Sequence, residues 1–152
     1  AGIHPCWSID DANQYAKETC MMMQSDPENF FQNMYGNSPD KWRDDLKMEE
    51  KMRFTINSMT RMRCLNKEQA LDFVYNGGLL DLPPTLKPWF DFKSNFKRDK
   101  KIISGHWSAI GVYQHPYGVS IDSACVWGKK LTAISLEDNN IQAVDINKKD
   151  LN

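Results

Sequence analysis

The chain has 152 residues, a length typical of one globular domain with its own core. Its 19 basic and 20 acidic side chains nearly cancel, which leaves a formal net charge of -1. Such a balance excludes binding of a nucleic-acid backbone or an anionic membrane through bulk charge. We therefore predict no nucleic-acid partner and no membrane partner, and we expect any anion binding to be local.

The cysteines form no Cys-x-x-Cys pair, since they are scattered at Cys6, Cys20, Cys64 and Cys125. This spacing suggests neither a zinc knuckle nor a disulfide framework. The first residues have no basic flank and no apolar run, and the sequence nowhere approaches the roughly 20 apolar residues of a membrane-spanning helix. We expect reduced thiols and a cytoplasmic location.

Helix signals dominate residues 1–60. Apolar residues follow Ser8-x-x-Asp11 at steps of three and four, as Ile9, Ala12, Ala16, Cys20 and Met23. The pattern predicts helices from Ile9 to Gln24, from Pro27 to a stop at Gly36, and from Met48 to about Thr60.

Strand signals dominate residues 61–146. The segment 61–65 can pair with Leu71–Tyr75 across the polar turn Asn66-Lys67-Glu68, and the prolines of 82–90 predict a connection outside regular elements. Further strands are predicted at Ile102-Ile103, Val119–Ile121, Leu131–Leu136 and Ile141–Ile146. We interpret the chain as one α+β unit, a single partial domain with a solvated tail at 147–152. The charged run Lys97–Lys101 is read as a solvated loop, or alternatively as a segment that steers polyphosphate towards the protein.

His106 is the first candidate for chemistry, because the Ile102-Ile103 run ends abruptly at Gly105-His106. A strand end can hold a ligand rigidly, and imidazole binds Mn, Co, Zn and Fe. The alternative is a packed or exposed histidine, since one ligand makes no metal site.

Arg61 and Arg63 form the second candidate. If this segment is extended, the two guanidinium groups lie on one face, and paired guanidinium groups suit phosphate oxygens. The alternative is a surface strand with exposed arginines; Arg53 is a less specific candidate.

Three tryptophans lie in connections marked by proline or glycine, at Trp89, Trp107 and Trp127. An aromatic face could stack on a nucleobase. Packing in the core or at its rim is preferred for at least two of the three. Asp122 closes a strand and could place polar groups near His106, although a plain turn explains it equally well.

Several motifs together resemble one family in the correct order. They are Ala1-Gly2-Ile3, Met34-Tyr35-Gly36, Met52-Arg53-Phe54, Thr60-Arg61-Met62-Arg63, Leu86-Lys87-Pro88-Trp89-Phe90, Gly105-His106-Trp107, Val126-Trp127-Gly128 and Leu131-Thr132. From Ala1 to about Asp138 the chain resembles the C-terminal half of the symmetrical bis(5'-nucleosyl)-tetraphosphatases, in the calcineurin-like metallophosphoesterase superfamily. The implied fold is the C-terminal half of a β-sandwich flanked by helices.

The resemblance implies a site with two divalent metal ions, Mn or Co, and cleavage of diadenosine tetraphosphate into two ADP. Only the last metal ligand carries over, onto His106; Ala1-Gly2 matches the end of a His-Ala-Gly motif, and the family's earlier motifs are absent. Arg61 and Arg63 match its phosphate-binding segment, and Trp107 and Trp127 are candidates for nucleoside binding. No catalytic residue is assigned to this half. The implied partners are a dinucleoside polyphosphate substrate and the missing N-terminal half, without which the chain is expected to be inactive.

Three points remain open at this stage. The segment Asp122–Lys129 departs from the pattern expected in the family, Asp-Thr-Gly-Cys-Cys-Trp-Gly-Gly, which bears on the substrate preference. A phosphoprotein phosphatase of the same superfamily would use the same kind of metal site. A noncatalytic module would bind nucleotide or a partner without turnover.

Overall fold

The computed structural model describes residues 1–95, 100–147 and 149. Most of the charged run 97–101 and most of the expected tail at 147–152 therefore lie outside the described residues. Within the described part, three α-helices precede eight short strands, so the chain is α+β as predicted. No helix in that part is long and apolar enough to cross a membrane.

The first two helices begin where the sequence predicts. α1 spans Ile9–Ser25 and opens with a capping box, in which the Asp11 backbone N–H donates to Ser8 Oγ at 3.1 Å and the Ser8 N–H donates to the Asp11 carboxylate at 2.9 Å. α2 spans Pro27–Asn33 and is capped by the Asp26 side chain. Such caps satisfy backbone donors that have no partner inside the helix.

The third helix, α3, spans Met48–Arg61 and packs against α1. Its buried face consists of Met52, Phe54, Thr55, Asn57 and Ser58. The sequence predicts this helix but ends it one residue early. Because α3 continues through Arg61, the expectation of an extended segment from that residue is wrong.

The predicted hairpin is present but shorter. β1 spans Cys64–Asn66 and pairs antiparallel with β2, Leu71–Asp72, across a turn in which Asn66 Oδ1 accepts the backbone N–H groups of Glu68 and Ala70. The second predicted strand ends early because Asp72 Oδ1 accepts the Tyr75 N–H group. β3, Leu86–Pro88, pairs with the other edge of β1, so the expectation that this proline-containing segment lies outside regular elements is wrong. Proline is tolerated there because β3 lies at the edge of the sheet.

A second sheet carries the strand that precedes His106. It consists of β4, Ile102–Ser104, β5, Tyr113–His115, and β6, Gly118–Ser120, in the order β4-β6-β5. β4 runs parallel to β6, and β5 runs antiparallel to it. The last two strands, β7, Lys130–Ile134, and β8, Ile141–Asp145, form a separate antiparallel hairpin where the sequence predicts two strands.

The core is rich in aromatic rings drawn from the N-terminal segment, from α3 and from the first two sheets with their connections. Its buried members include Trp7, Phe54, Leu65, Leu71, Trp89, Phe90, Trp107 and Tyr117. Trp7 contacts Trp42 edge to face at 5.0 Å between ring centroids, and His115 stacks on Phe90 at 4.6 Å. The N-terminal segment, α3 and the first two sheets are therefore held together by one packed cluster.

Candidate functional site

His106 lies just beyond the end of β4, and the turn gives it a positive φ of 75°. Its Nε2 atom is buried and has no hydrogen-bond partner within the described part of the chain. Burial is the largest cause that lowers the pKa of His106, followed by the charges of Arg63 and of the N-terminal amine. The ring is thus held neutral, with a free nitrogen lone pair available in one tautomer.

The surroundings of His106 fit those of a single metal ligand. The Arg61 carbonyl lies near the ring and raises its pKa, and the negative charge of Asp122 acts in the same direction. A histidine ligand commonly donates one ring N–H to a carbonyl while its other nitrogen faces the metal. Within the described residues, however, no group of three or more His, Cys, Asp or Glu side chains could hold a metal ion. Among the described residues, His106 is therefore a lone candidate ligand.

The N-terminal residues lie beside this histidine. The Ala1 amino group donates a hydrogen bond to the Met59 carbonyl near the end of α3, and its charge lowers the pKa of His106. Gly2 lies against Trp89 so closely that a Cβ atom built on Gly2 would be 2.5 Å from the indole ring. The packing of Gly2 against Trp89 thus restricts where Ala1 can lie.

Protein groups hold the Arg61 side chain, among them the Gly36 carbonyl, which accepts from Nη1 at 3.5 Å. Its Nη1 donates to Asn57 Oδ1 at 2.9 Å and its Nη2 donates to Asn37 Oδ1 at 3.0 Å. The guanidinium also lies over the Phe73 ring, 4.6 Å from the centroid. Because this residue ends α3, its side chain does not align with that of Arg63 along a strand.

Arg63 is half-buried and unengaged. Within the described part of the chain its guanidinium has no hydrogen-bond or ion-pair partner. Burial lowers the pKa of Arg63, and the positive charge of Arg61 lowers it further. The charge of Arg63 also lowers the pKa of His106, so the guanidinium and the imidazole ring interact electrostatically.

Arg53, the less specific candidate, is also engaged. Its Nε donates to the Asn33 carbonyl at 2.7 Å and its Nη1 donates to the Ser38 carbonyl at 2.9 Å. These bonds hold the loop that follows α2 against α3. The structure therefore assigns Arg53 a structural contact.

The tryptophans separate into two classes. Trp89 and Trp107 are 3% and 2% exposed, and Trp107 Nε1 donates to the Gly77 carbonyl at 2.8 Å. The burial of Trp107 gives no support to the nucleoside-binding role predicted for it, because neither face of a buried ring can receive a base. Trp127 is 76% exposed on a short turn before β7, so its ring is available for stacking.

Sequence reasoning missed the two asparagines that hold Arg61. Asn57 lies one helical turn before Arg61, a spacing at which side chains meet, and this signal was available. Asn37 lies 24 residues away in the loop after α2, and no local pattern links it to Arg61. A cavity of about 300 Å³ between α1 and α3 contains none of the predicted site residues.

The comparisons with known proteins agree with the motifs. No family model matches the chain. Three proteins named "Bis(5'-nucleosyl)-tetraphosphatase, symmetrical" are similar to it: one from Aromatoleum aromaticum, 40% identical over 149 residues, one from Nitrosomonas europaea, 39% over 142, and one from Neisseria gonorrhoeae, 38% over 145.

The matches cover 97%, 93% and 95% of this chain but 55%, 53% and 52% of the respective relatives. The chain thus spans about half the length of the relatives that it matches, which is consistent with a C-terminal half. Over nearly all of its own length, the chain is a homologue of proteins named symmetrical bis(5'-nucleosyl)-tetraphosphatase, as the motifs predict.

Proposed function

We propose that the chain is the C-terminal half of a metal-dependent hydrolase that cleaves diadenosine tetraphosphate symmetrically into two ADP. The observation that carries this proposal is the buried, unpartnered Nε2 atom of His106 beside an unpaired Arg63. The names of the relatives support the substrate class and the reaction.

In this proposal His106 is one metal ligand, oriented through the Arg61 carbonyl. The segment Arg61–Arg63 supplies positive charge for the phosphate oxygens, which gain negative charge as the phosphoanhydride bond breaks. The half-buried setting of Arg63 strengthens that interaction because water screens it less. The exposed ring of Trp127 stacks on a nucleobase.

The proposed cofactors are two divalent ions, Mn or Co. When bound, such ions polarise the phosphate and lower the pKa of a coordinated water. An imidazole ligand with a carbonyl-bound second nitrogen suits both metals. The remaining ligands belong to the missing N-terminal half, so we expect the isolated chain to be inactive.

The proposed partner for assembly is that N-terminal half, and the proposed fold of the intact protein is a metallophosphoesterase β-sandwich. The β7–β8 hairpin supports association with that partner, because the hairpin exposes Leu131 and Val144 and the neighbouring Trp127 is exposed too. An exposed apolar face on an isolated hairpin favours burial against another element. A cytosolic location fits the four free cysteines.

A noncatalytic nucleotide-binding module is the second candidate. It is favoured by the lack of a complete ligand group in the described residues. It predicts nucleotide binding without turnover under all metal conditions. A phosphoprotein phosphatase is the third alternative, and it predicts hydrolysis of phosphopeptide in preference to dinucleotide.

The test is reconstitution. The chain is mixed with the part of the Aromatoleum aromaticum relative that it does not match, and ADP release from diadenosine tetraphosphate is followed by chromatography with Mn or Co. We expect ADP only in the mixture, and its loss in His106→Asn, a substitution chosen because asparagine tolerates positive φ. A folded, metal-loaded complex that yields no ADP would refute the substrate assignment.

A further inference from the structure

The two arginines of the segment Arg61–Arg63 differ in every contact that the structure gives them. The Arg61 guanidinium donates to Asn57, to Asn37 and, at 3.5 Å, to the Gly36 carbonyl, and it covers the Phe73 ring. The Arg63 guanidinium has neither a hydrogen bond nor an ion pair within the described part of the chain. The Arg61 side chain is held by protein groups, and the Arg63 side chain is available to a ligand.

The contacts of Arg61 lock a loop. Residues 34–38 connect α2 to the body of the protein, and three side chains of α3 hold them: Arg61 binds Asn37, Asn57 Nδ2 donates to the Gly36 carbonyl at 2.9 Å, and Arg53 binds Ser38. Gly36 has a φ of 124°, a conformation that side chains rarely adopt. Such a loop depends on tertiary hydrogen bonds because its own backbone forms no regular element.

The backbone of Arg61 reaches in the other direction. Its carbonyl lies near the His106 ring and raises the pKa of that ring, while its side chain holds the loop. A movement of this helix end would therefore displace the loop and the histidine together. Arg63 follows two residues later and acts electrostatically on the same histidine.

We infer that Arg61 is a positioning residue and that Arg63 is the arginine that binds phosphate. Arg61 fixes the 34–38 loop and the end of α3, which carries Arg63 and orients His106. Turning the Arg61 guanidinium towards a phosphate would break its bonds to Asn37 and Asn57 and leave their amide oxygens without that partner. Arg63 binds phosphate at no such cost. This inference rests on the proposed function for its ligand, but the role of Arg61 in the loop does not.

Matched substitutions at the two arginines test the inference in the full chain. Arg61→Gln and Arg63→Gln each remove one positive charge from the same segment, and Arg61→Lys keeps the charge but loses the planar fork. The probe is inorganic tripolyphosphate, and its affinity is measured by calorimetry. Hydrogen exchange of the backbone amides of residues 34–38 is measured by NMR on the same samples.

We expect Arg63→Gln to weaken tripolyphosphate binding at least about tenfold without changing exchange in the loop. We expect Arg61→Gln and Arg61→Lys to speed loop exchange about tenfold or more, with a smaller loss of affinity than Arg63→Gln causes. In Arg61→Gln combined with Asn37→Ala, exchange should be no faster than in Arg61→Gln alone, because both changes remove one shared bond.

Three outcomes would overturn parts of the inference separately. Unchanged loop exchange in Arg61→Gln would refute the positioning role. An equal loss of affinity at both arginines, with Arg61→Lys restoring it, would assign phosphate contact to Arg61 as well. Failure of the folded wild-type chain to bind tripolyphosphate would refute the assignment of Arg63 and count against the proposed function, but it would leave the loop result intact.

Discussion

Gly118 lies so close to Ile102 that a Cβ atom built on it would be 1.9 Å from the Ile102 carbonyl oxygen. The two residues are partners in the parallel β4–β6 pair, and this pair supports the strand end from which His106 projects. Close approach of two backbones at this point makes glycine a requirement of the sheet.

Gly118→Ala should destabilise the chain by more than about 3 kcal/mol, because Cβ would collide with backbone rather than with a movable side chain. The measurement is urea unfolding followed by circular dichroism. Gly111→Ala is the matched control, since Gly111 has a φ of 63° but no atom within 4 Å of a built Cβ. It should cost only the conformational penalty of about 1–3 kcal/mol, since φ 63° with ψ −149° is a region that glycine alone adopts readily. Equal losses in the two variants would contradict the collision.

Stability should fall when the pH is lowered from 6.5 towards 4. Burial lowers the pKa of His4 and of His115 from 6.5 to about 4, and it also lowers that of His106. Between these values the unfolded chain binds more protons than the folded chain, so stability is present at higher pH and is lost on acidification. For the buried His4 the full effect is on the order of 3 kcal/mol.

The measurement is the urea midpoint at half-unit steps of pH across this range. His115→Phe should give a shallower dependence, because phenylalanine can stack on Phe90 and takes up no proton. A midpoint that stays constant or rises between pH 6.5 and 4 would show that the histidines are not buried as described.

The tryptophans at 107 and 127 should respond oppositely to substitution. Trp107→Phe removes the donor to the Gly77 carbonyl and part of a buried ring system, so we expect a loss of about 1–3 kcal/mol in unfolding free energy. Trp127→Phe should change stability by less than about 0.5 kcal/mol because the ring is exposed.

For binding, Trp127→Ala should weaken the affinity for ADP by about 1–3 kcal/mol, the usual range for loss of a stacked base. Titration calorimetry with the chain, or with the reconstituted mixture if the chain alone is too weak a binder, provides the measurement. Unchanged affinity in the mixture would remove Trp127 from the nucleoside site.

The exposed hairpin should govern association with the upstream half. Leu131 and Val144 are cross-strand partners, 60% and 63% exposed. Leu131→Glu combined with Val144→Lys preserves a favourable cross-strand pair but removes the apolar contact, so we expect at least about tenfold weaker binding of the upstream half. Leu80→Glu is the control, because Leu80 is also exposed but lies outside the hairpin. Equal effects of both changes, measured by sedimentation, would mean that general solubility is the cause.

The helices were predictable because local signals specify them. Ser8 and Asp11 form the cap that their spacing predicts, and Pro27 opens α2 at the expected place. The last hairpin was predictable for the same reason, since alternating β-branched and apolar residues flank a polar turn. Boundaries were less predictable: α3 extends through Arg61, where local propensity allows either helix or strand.

The candidate site was only partly predictable. The sequence indicates His106, Arg63 and the arginine segment, but it cannot show that Arg61 is held by Asn37, because that contact joins distant segments. The burial of Trp107 depends on a carbonyl 30 residues away, at Gly77. Pairing of Leu86–Pro88 with β1 is likewise a tertiary effect that overrides the proline signal.

The backbone of His106 has a consequence for how this position can change. His106 has a φ of 75°, a backbone conformation that glycine and asparagine adopt more readily. Holding a histidine there costs conformational free energy on the order of 1 kcal/mol or more. Replacement by glycine would release that strain and also remove the buried, unpartnered nitrogen. If His106 binds metal as proposed, thermal stability and metal affinity demand different side chains at this residue. A screen for heat resistance alone would then select against the histidine, whereas a screen for metal retention would keep it.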